Sequence, residues 1–150
     1  MEDIQLLNPE NFRKCGNIWN MEQQAQLAEQ FYTELLSGNR ITYVCQREGA
    51  YIAEISIVFD SRDSDYTIVG QRVYLSRLIV KPEFRRRGIG TELLEFLIRK
   101  ARERKYREMT VGVDLDNYPA LKLYVRAGFD KILSVGTDAQ GQYVKLLKIL

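Results

Sequence analysis

Apolar residues recur along this chain at two spacings, and the switches between them outline the elements. Ile4 to Leu7 reads as a short strand, after which Asn8 and Pro9 open a short helix, Asn as a cap and Pro as a first-turn residue. Ala25, Ala28, Phe31, Tyr32, Leu35 and Leu36 fall at three-and-four spacing and predict a helix over Met21 to Leu36, stopped by Gly38. Ile41 to Gln46 and Tyr51 to Phe59 flank Glu48-Gly49-Ala50 as a hairpin would. Val73 to Val80 is a strand ending at Lys81-Pro82. From Ile89, the residues Leu93, Leu94, Leu97, Ile98 and Ala101 form one helical stripe. Glu108 to Val113 is the next strand, Pro119 to Ala127 a short helix closed by Gly128, and Phe129 to Val135 and Tyr143 to Leu150 are the last two strands. The polar, acidic segment from Asp60 to Arg72 is the irregular stretch.

The order is therefore β-α-α-β-β-β-α-β-α-β-β. Single helices interleaved with consecutive strands predict an α/β (α+β) fold, with a mixed, mostly antiparallel central sheet of about seven strands flanked by about four helices. A chain of 150 residues is the size of one domain, expected over residues 1–150.

Composition narrows the chemistry. The chain is 45% hydrophobic and 28% charged with three prolines, as in an ordinary globular protein. It contains no histidine, which excludes a Ser-His-Asp triad, a Cys-His dyad and a histidine-ligated zinc. No metal is expected. No apolar run reaches the ~20 residues that cross a bilayer, and Met1-Glu2-Asp3 is unlike a secretory leader. With Cys15 and Cys45 expected as buried thiols, the expected compartment is cytoplasmic. A net charge of +2 predicts no membrane or nucleic-acid partner. Its distribution is uneven. Residues 1–80 hold seven Lys/Arg against eleven Asp/Glu, whereas residues 81–150 hold fifteen against nine, including Arg85-Arg86-Arg87.

That arginine run belongs to the most specific segment, Val80-Lys81-Pro82-Glu83-Phe84-Arg85-Arg86-Arg87-Gly88-Ile89-Gly90-Thr91, set between a strand and an amphipathic helix. A helix start offers unpaired N–H groups and the positive end of the helix dipole. Glycines there let an anion approach the backbone, and arginines add charge-assisted hydrogen bonds. The bland alternative is a turn with solvated arginines. The pattern fits neither the P-loop nor the dinucleotide fingerprint.

Arg85-x-x-Gly88-x-Gly90 after Val80-x-Pro82 resembles the acetyl-CoA motif of the GNAT N-acyltransferase superfamily. The segment Asn117-Tyr118-Pro119-Ala120-Leu121-Lys122-Leu123-Tyr124-Val125-Arg126-Ala127-Gly128-Phe129 is similar to the same family's N-x-x-A-x-x-L-Y-x-x-x-G-F signature. The resemblance covers residues 40–135. It implies that Arg86, Arg87, Gly88, Ile89, Gly90 and Thr91 cradle the CoA pyrophosphate with Arg85 at the mouth. It also implies that Leu78, Ile79 and Val80 pair with the pantetheine arm like an added strand. Asn117 would contact CoA, and Tyr124 would protonate the departing thiolate, as a phenol of reference pKa ~10 can. Read without the family, Asn117 caps a helix and Tyr124 is a core tyrosine.

The implied reaction is acetyl transfer from acetyl-CoA, as co-substrate, to an amine by direct attack, with a backbone N–H near Ile79 or Val80 facing the developing oxyanion. The general base departs from the family. Its usual glutamate places hold Ser76 and Arg77, and the one used by ribosomal-protein alanine acetyltransferases holds Gly112. Glu54 and Asp114 are substitutes, each read first as a surface carboxylate; a water relay is the other route, and the base stays unassigned. The resemblance places the acceptor against Cys15 to Gln24 and Val135 to Tyr143. Asp60, Asp63 and Asp65 either draw a cationic amine or are simply solvated. A small-molecule amine is the expected acceptor. Protein N-terminal or lysine acetylation and a non-catalytic acyl-CoA-binding module are the alternatives. The chain is expected as monomer or homodimer, the apolar last strand either pairing across an edge or being covered within one copy.

Overall fold

The computed structural model describes residues 3–150; Met1 and Glu2, part of the acidic amino terminus, lie outside them. Seven strands are hydrogen-bonded in the order β1-β2-β3-β4-β5-β7-β6. They are β1 (Asp3–Leu6), β2 (Arg40–Arg47), β3 (Ala50–Val58), β4 (Arg72–Val80), β5 (Glu108–Asp114), β6 (Lys131–Asp138) and β7 (Gly141–Ile149). Three α-helices, α1 (Ala25–Ser37), α2 (Ile89–Glu103) and α3 (Tyr118–Arg126), and 3-10 helices at Pro9–Asn17 and Pro82–Phe84 complete the chain. β1 is antiparallel to β2, β4 is parallel to β5, and β5 and β6 are each antiparallel to β7. The sheet is mixed, as the element order predicts.

Local chemistry sets the boundaries. Asn8 Oδ1 accepts the Glu10 N–H at 3.0 Å and starts the first 3-10 helix, in which Phe12 and Cys15 are buried and Ile18 follows at the same spacing. A period of three fits three residues per turn. α1 begins at Ala25 and not at Met21. The side chain of Asn20 accepts from the N–H groups of Glu22 and Gln23 and holds residues 21–24 in turns, a local bond that competes with the helix. Glu48 and Gly49 both have positive φ, 52° and 81°, the two-residue turn whose twist matches a hairpin. The last strand, β7, lies between β5 and β6, so it is an interior strand covered within one copy.

The chain separates into two compact units. The first runs through Ile57 and resumes over Arg77–Leu97; the second is Val58–Ser76 with Ile98–Leu150. In the first, Leu7, Phe12, Cys15, Ile18, Trp19, Phe31, Leu35, Val44 and Tyr51 form one buried cluster, with Ile79 packed against it. In the second, the buried residues include Val73, Leu75, Met109, Val111, Tyr124, Phe129, Val144 and Leu146.

Candidate functional site

In the first unit, β4 leads into the glycine loop. The parallel register with β5 covers Arg72–Leu75, and the strand continues to Val80. Leu78, Ile79 and Val80 are each partly exposed, unusual for three successive apolar strand residues. Pro82–Phe84 makes one 3-10 turn, and Arg85 Nε donates to the Val80 carbonyl at 2.9 Å, tying the loop back to the strand. Arg86 and Gly88 are left-handed, with φ of 64° and 82°. Two left-handed residues give the loop a tight turn, and loops of this kind can present backbone N–H groups to an anion. The first α2 bond runs from Glu92 N–H to the Gly88 carbonyl, so the N–H groups of Ile89, Gly90 and Thr91 precede the helical ladder. A Cβ built at Gly88 meets no atom within 4 Å. Arg85, Arg86 and Arg87 are exposed, and the Arg87 guanidinium lies 5.5 Å from the Phe84 ring centre. The backbone, the space and the charge all fit a pyrophosphate.

The same unit buries a carboxylate. Glu54, in the middle of β3, is 2% exposed, which corrects its reading as a surface residue. Trp19 Nε1 donates to its Oε1 at 2.6 Å. Burial pushes the Glu54 carboxyl up, and Arg77, the Trp19 bond and Arg40 offset this only in part. Arg77 lies 4.5 Å over the Trp19 ring, and its Nε has no hydrogen-bond partner among the described residues. Cys15 is buried against this group, its thiol pushed up by burial and by Glu54. Of Ser76 and Arg77, the two places at which the resemblance implies a glutamate, the second holds the cation that acts on Glu54 from the adjacent strand. The signal was present in the sequence: one carboxylate inside the apolar run Tyr51 to Phe59.

In the second unit, Asn117 Oδ1 accepts the Ala120 N–H at 3.3 Å and caps α3, whose first turn carries Pro119. One turn beyond, Tyr124 is 6% exposed and packs edge-on against Phe129, ring centres 5.7 Å apart. Burial and the neighbouring Tyr74 push its phenol up, so it remains protonated well above neutral pH.

The acidic segment is not simply solvated. Lys145 of β7 donates to Asp63 at 3.0 Å and to Asp65 at 3.2 Å, and its Nζ sits 4.7 Å over the Tyr66 ring. Burial alone would lower the Lys145 ammonium, but the two carboxylates outweigh it and hold it up; Lys145 in turn holds Asp63 down. Thr110 Oγ1 donates to the Tyr66 carbonyl at 2.7 Å. Residues 60–71 therefore form a strap across one face of β5 and β7, clamped by a cation that the chain itself supplies.

Under the strap, the Tyr66 hydroxyl occupies the space a side chain at Gly112 would need, and the Tyr66 ring stacks on Tyr74 at 4.2 Å. A glycine inside a strand marks such a close approach, but nothing in the sequence says which residue arrives. Gly112→Ala is expected to cost about 1–2 kcal/mol by overpacking. With the hydroxyl removed, the next atom, Tyr66 Cζ, lies at 3.3 Å, so Tyr66→Phe should restore most of the loss. Urea unfolding of the four proteins of that double-mutant cycle measures the coupling.

A model of the acetyltransferase (GNAT) family matches residues 3–129. An N-acetyltransferase of Methanocaldococcus jannaschii is 37% identical over 57 residues, 38% of this chain and 25% of that protein. The chain thus spans about a quarter of the length of that curated relative. Among solved structures, aminoglycoside 6'-acetyltransferase type Ii superposes with a TM-score of 0.77 at 19% identity, covering 98% of this chain and 96% of that one. A GNAT family acetyltransferase from Elizabethkingia anophelis with acetyl-CoA bound gives 0.73 at 16% identity, with both chains fully covered. At such identities the structural likeness is one of fold. The family match runs from β1 to Phe129 just beyond α3, and on that ground the chain belongs to the GNAT acetyltransferase family.

Proposed function

We propose that this chain is an N-acetyltransferase that takes the acetyl group from acetyl-CoA and passes it to a primary amine of a small molecule. One observation carries the reading: the loop between β4 and α2 combines left-handed Arg86 and Gly88, open space at Gly88 and the unladdered N–H groups of Ile89, Gly90 and Thr91. Arg85, anchored on Val80, holds the loop's entry in place. Leu78, Ile79 and Val80 offer a partly exposed strand to the pantetheine arm, and a backbone N–H of Ile79 or Val80 faces the oxygen that gains charge. Asn117 spends its Oδ1 on the cap of α3 and meets CoA with its amide nitrogen. Tyr124 supplies the proton that sulfur takes on leaving.

The preference for a small-molecule acceptor rests on Gly112. The glutamate of ribosomal-protein enzymes has no room there, because Tyr66 fills the place. The buried thiols Cys15 and Cys45, not joined in a disulfide, suit a reducing compartment such as cytoplasm.

Calorimetric titration with acetyl-CoA tests the reading, with dephospho-CoA and DNA alongside. Saturable binding of acetyl-CoA, and thiol release when small amines are added, is the expected outcome. Gly88→Ala should weaken acetyl-CoA about tenfold, since its methyl enters the space reserved for phosphate and its φ of 82° disfavours a side chain. A folded protein that ignores acetyl-CoA would reduce the loop to a turn and end the assignment.

A further inference from the structure

β6 is an end strand: β7 is bonded to one side of it, and no strand among the described residues pairs with the other. Such an edge offers a row of backbone N–H and C=O groups to another chain. The register with β7 has one irregularity. Ile132 is opposite Leu146 and Ser134 is opposite Lys145, so Leu133 is an extra residue, a bulge. Val135 is then opposite Val144. Opposite residues share a face, as do alternate residues of one strand. Ile132 and Val135 therefore lie on one face although they are three apart. That face is covered at β7 and bare at β6: Val144 and Leu146 are 3% and 4% exposed, Val135 and Ile132 58% and 67%.

A partner for this edge must bring both a strand and apolar side chains on the matching face, and a second β6 brings both. A two-fold axis perpendicular to the sheet keeps each face on its own side. Set through Val135, the axis places Val135 against itself and Ser134 against Gly136 of the second copy. With Leu133 absorbed as the bulge, Ile132 meets Thr137 and Lys131 meets Asp138, each pair sharing a face. All eight residues of β6 then lie within the pairing, with opposite charges matched at both ends. Moving the axis to Ser134 or to Gly136 takes Lys131 away from Asp138. Within one copy, Lys131 reaches Asp130 at 3.8 Å, both side chains being mostly exposed, and Asp138 accepts the neutral Gln140 N–H at 2.9 Å. The bulge, which hinders indiscriminate edge pairing, here limits β6 to a partner whose faces shift in step.

We propose that β6 pairs antiparallel with the β6 of a second copy of this chain, on a two-fold axis through Val135, to form a homodimer. The pairing does not depend on acetyl transfer, so either can fail without the other.

Light scattering on the full chain, at about 100 µM, should give twice the mass of the 150-residue chain. Val135→Lys sets like charges on the axis and should give a monomer whose circular dichroism and Tm match the parent's. Lys131→Glu should weaken the dimer at least tenfold, and Lys131→Glu/Asp138→Lys should restore it to within about threefold. Val135→Cys should oxidise to a covalent dimer, since residues directly opposite lie within disulfide reach. Thr137→Cys should not, because its counterpart lies about four residues away along the pair. A parent that stays monomeric at this concentration overturns the proposal. A dimer that survives Val135→Lys and is not linked by Val135→Cys lies elsewhere and overturns it as well. Charge reversal without effect, or without rescue by the double exchange, overturns the axis through Val135.

Discussion

Tyr124→Phe is expected to lower kcat for acetyl transfer by about 10²- to 10³-fold, within the range for a positioned general acid. Acetyl-CoA affinity should be unchanged. The substitution isolates the proton, because phenylalanine keeps the ring, the burial and the edge-on contact with Phe129. If the hydroxyl acts only as sulfur leaves, kcat and kcat/KM fall together and KM stays. The pH profile adds a second check. The phenol is pushed above its ordinary value by burial and by Tyr74, so it stays protonated as the acceptor begins to lose its proton. Rates should rise as the amine loses its proton and show no falling limb from Tyr124 below about pH 10. A variant within twofold of the parent would remove Tyr124 from the chemistry and return it to the core of the second unit.

The largest stability effect is expected at Glu54. Glu54→Ala should destabilise the protein by roughly 3–5 kcal/mol, since it leaves a cavity, an unpaired indole N–H and a cation without its buried partner. Glu54→Gln should cost less than half as much, because a carboxamide still accepts from Trp19 and burial already favours the uncharged form. The pH dependence follows from the direction of the shift. A carboxyl whose folded value is raised binds its proton more tightly in the native state, so its contribution is most favourable at low pH. It declines as pH rises from the unfolded value of about 4.3 through the folded one. Denaturant unfolding across that window should show Glu54→Gln gaining on the parent toward higher pH. The opposite slope would mean that Arg77 and Arg40 outweigh desolvation, and that Glu54 is held as a stabilising anion.

Much of this fold could be read from the residues because local chemistry and global position agree. Ile89 begins α2 in the sequence and in space, and the Glu48-Gly49 turn has the backbone its residues favour. Errors arise where a local bond competes with periodicity. Asn20 delays α1 to Ala25, and the last hairpin extends to Asp138 because its tight turn, before left-handed Gly141, lies closer to the strand ends than apolar content suggests. Residues of the glycine loop and Asn117 are legible for a related reason: their function is backbone function, written in Gly, Pro and Asn. Glu54, Tyr66 and Lys145 were not legible as a group. Each is defined by a partner more than thirty residues away, Trp19, Gly112 and the pair Asp63 and Asp65, and sequence spacing carries no trace of such meetings.

The fit of Tyr66 over Gly112 also constrains how this chain can evolve. The two positions are not free to change in either order: a side chain at 112 meets the phenol, whereas a smaller residue at 66 clears that space. A lineage gaining a carboxylate at 112 must shrink residue 66 first, since the reverse order passes through a clashing, unstable intermediate. The two positions should therefore vary as a pair among close descendants of this sequence, with residue 66 leading. That epistasis makes a glutamate at 112 reachable only in two ordered steps.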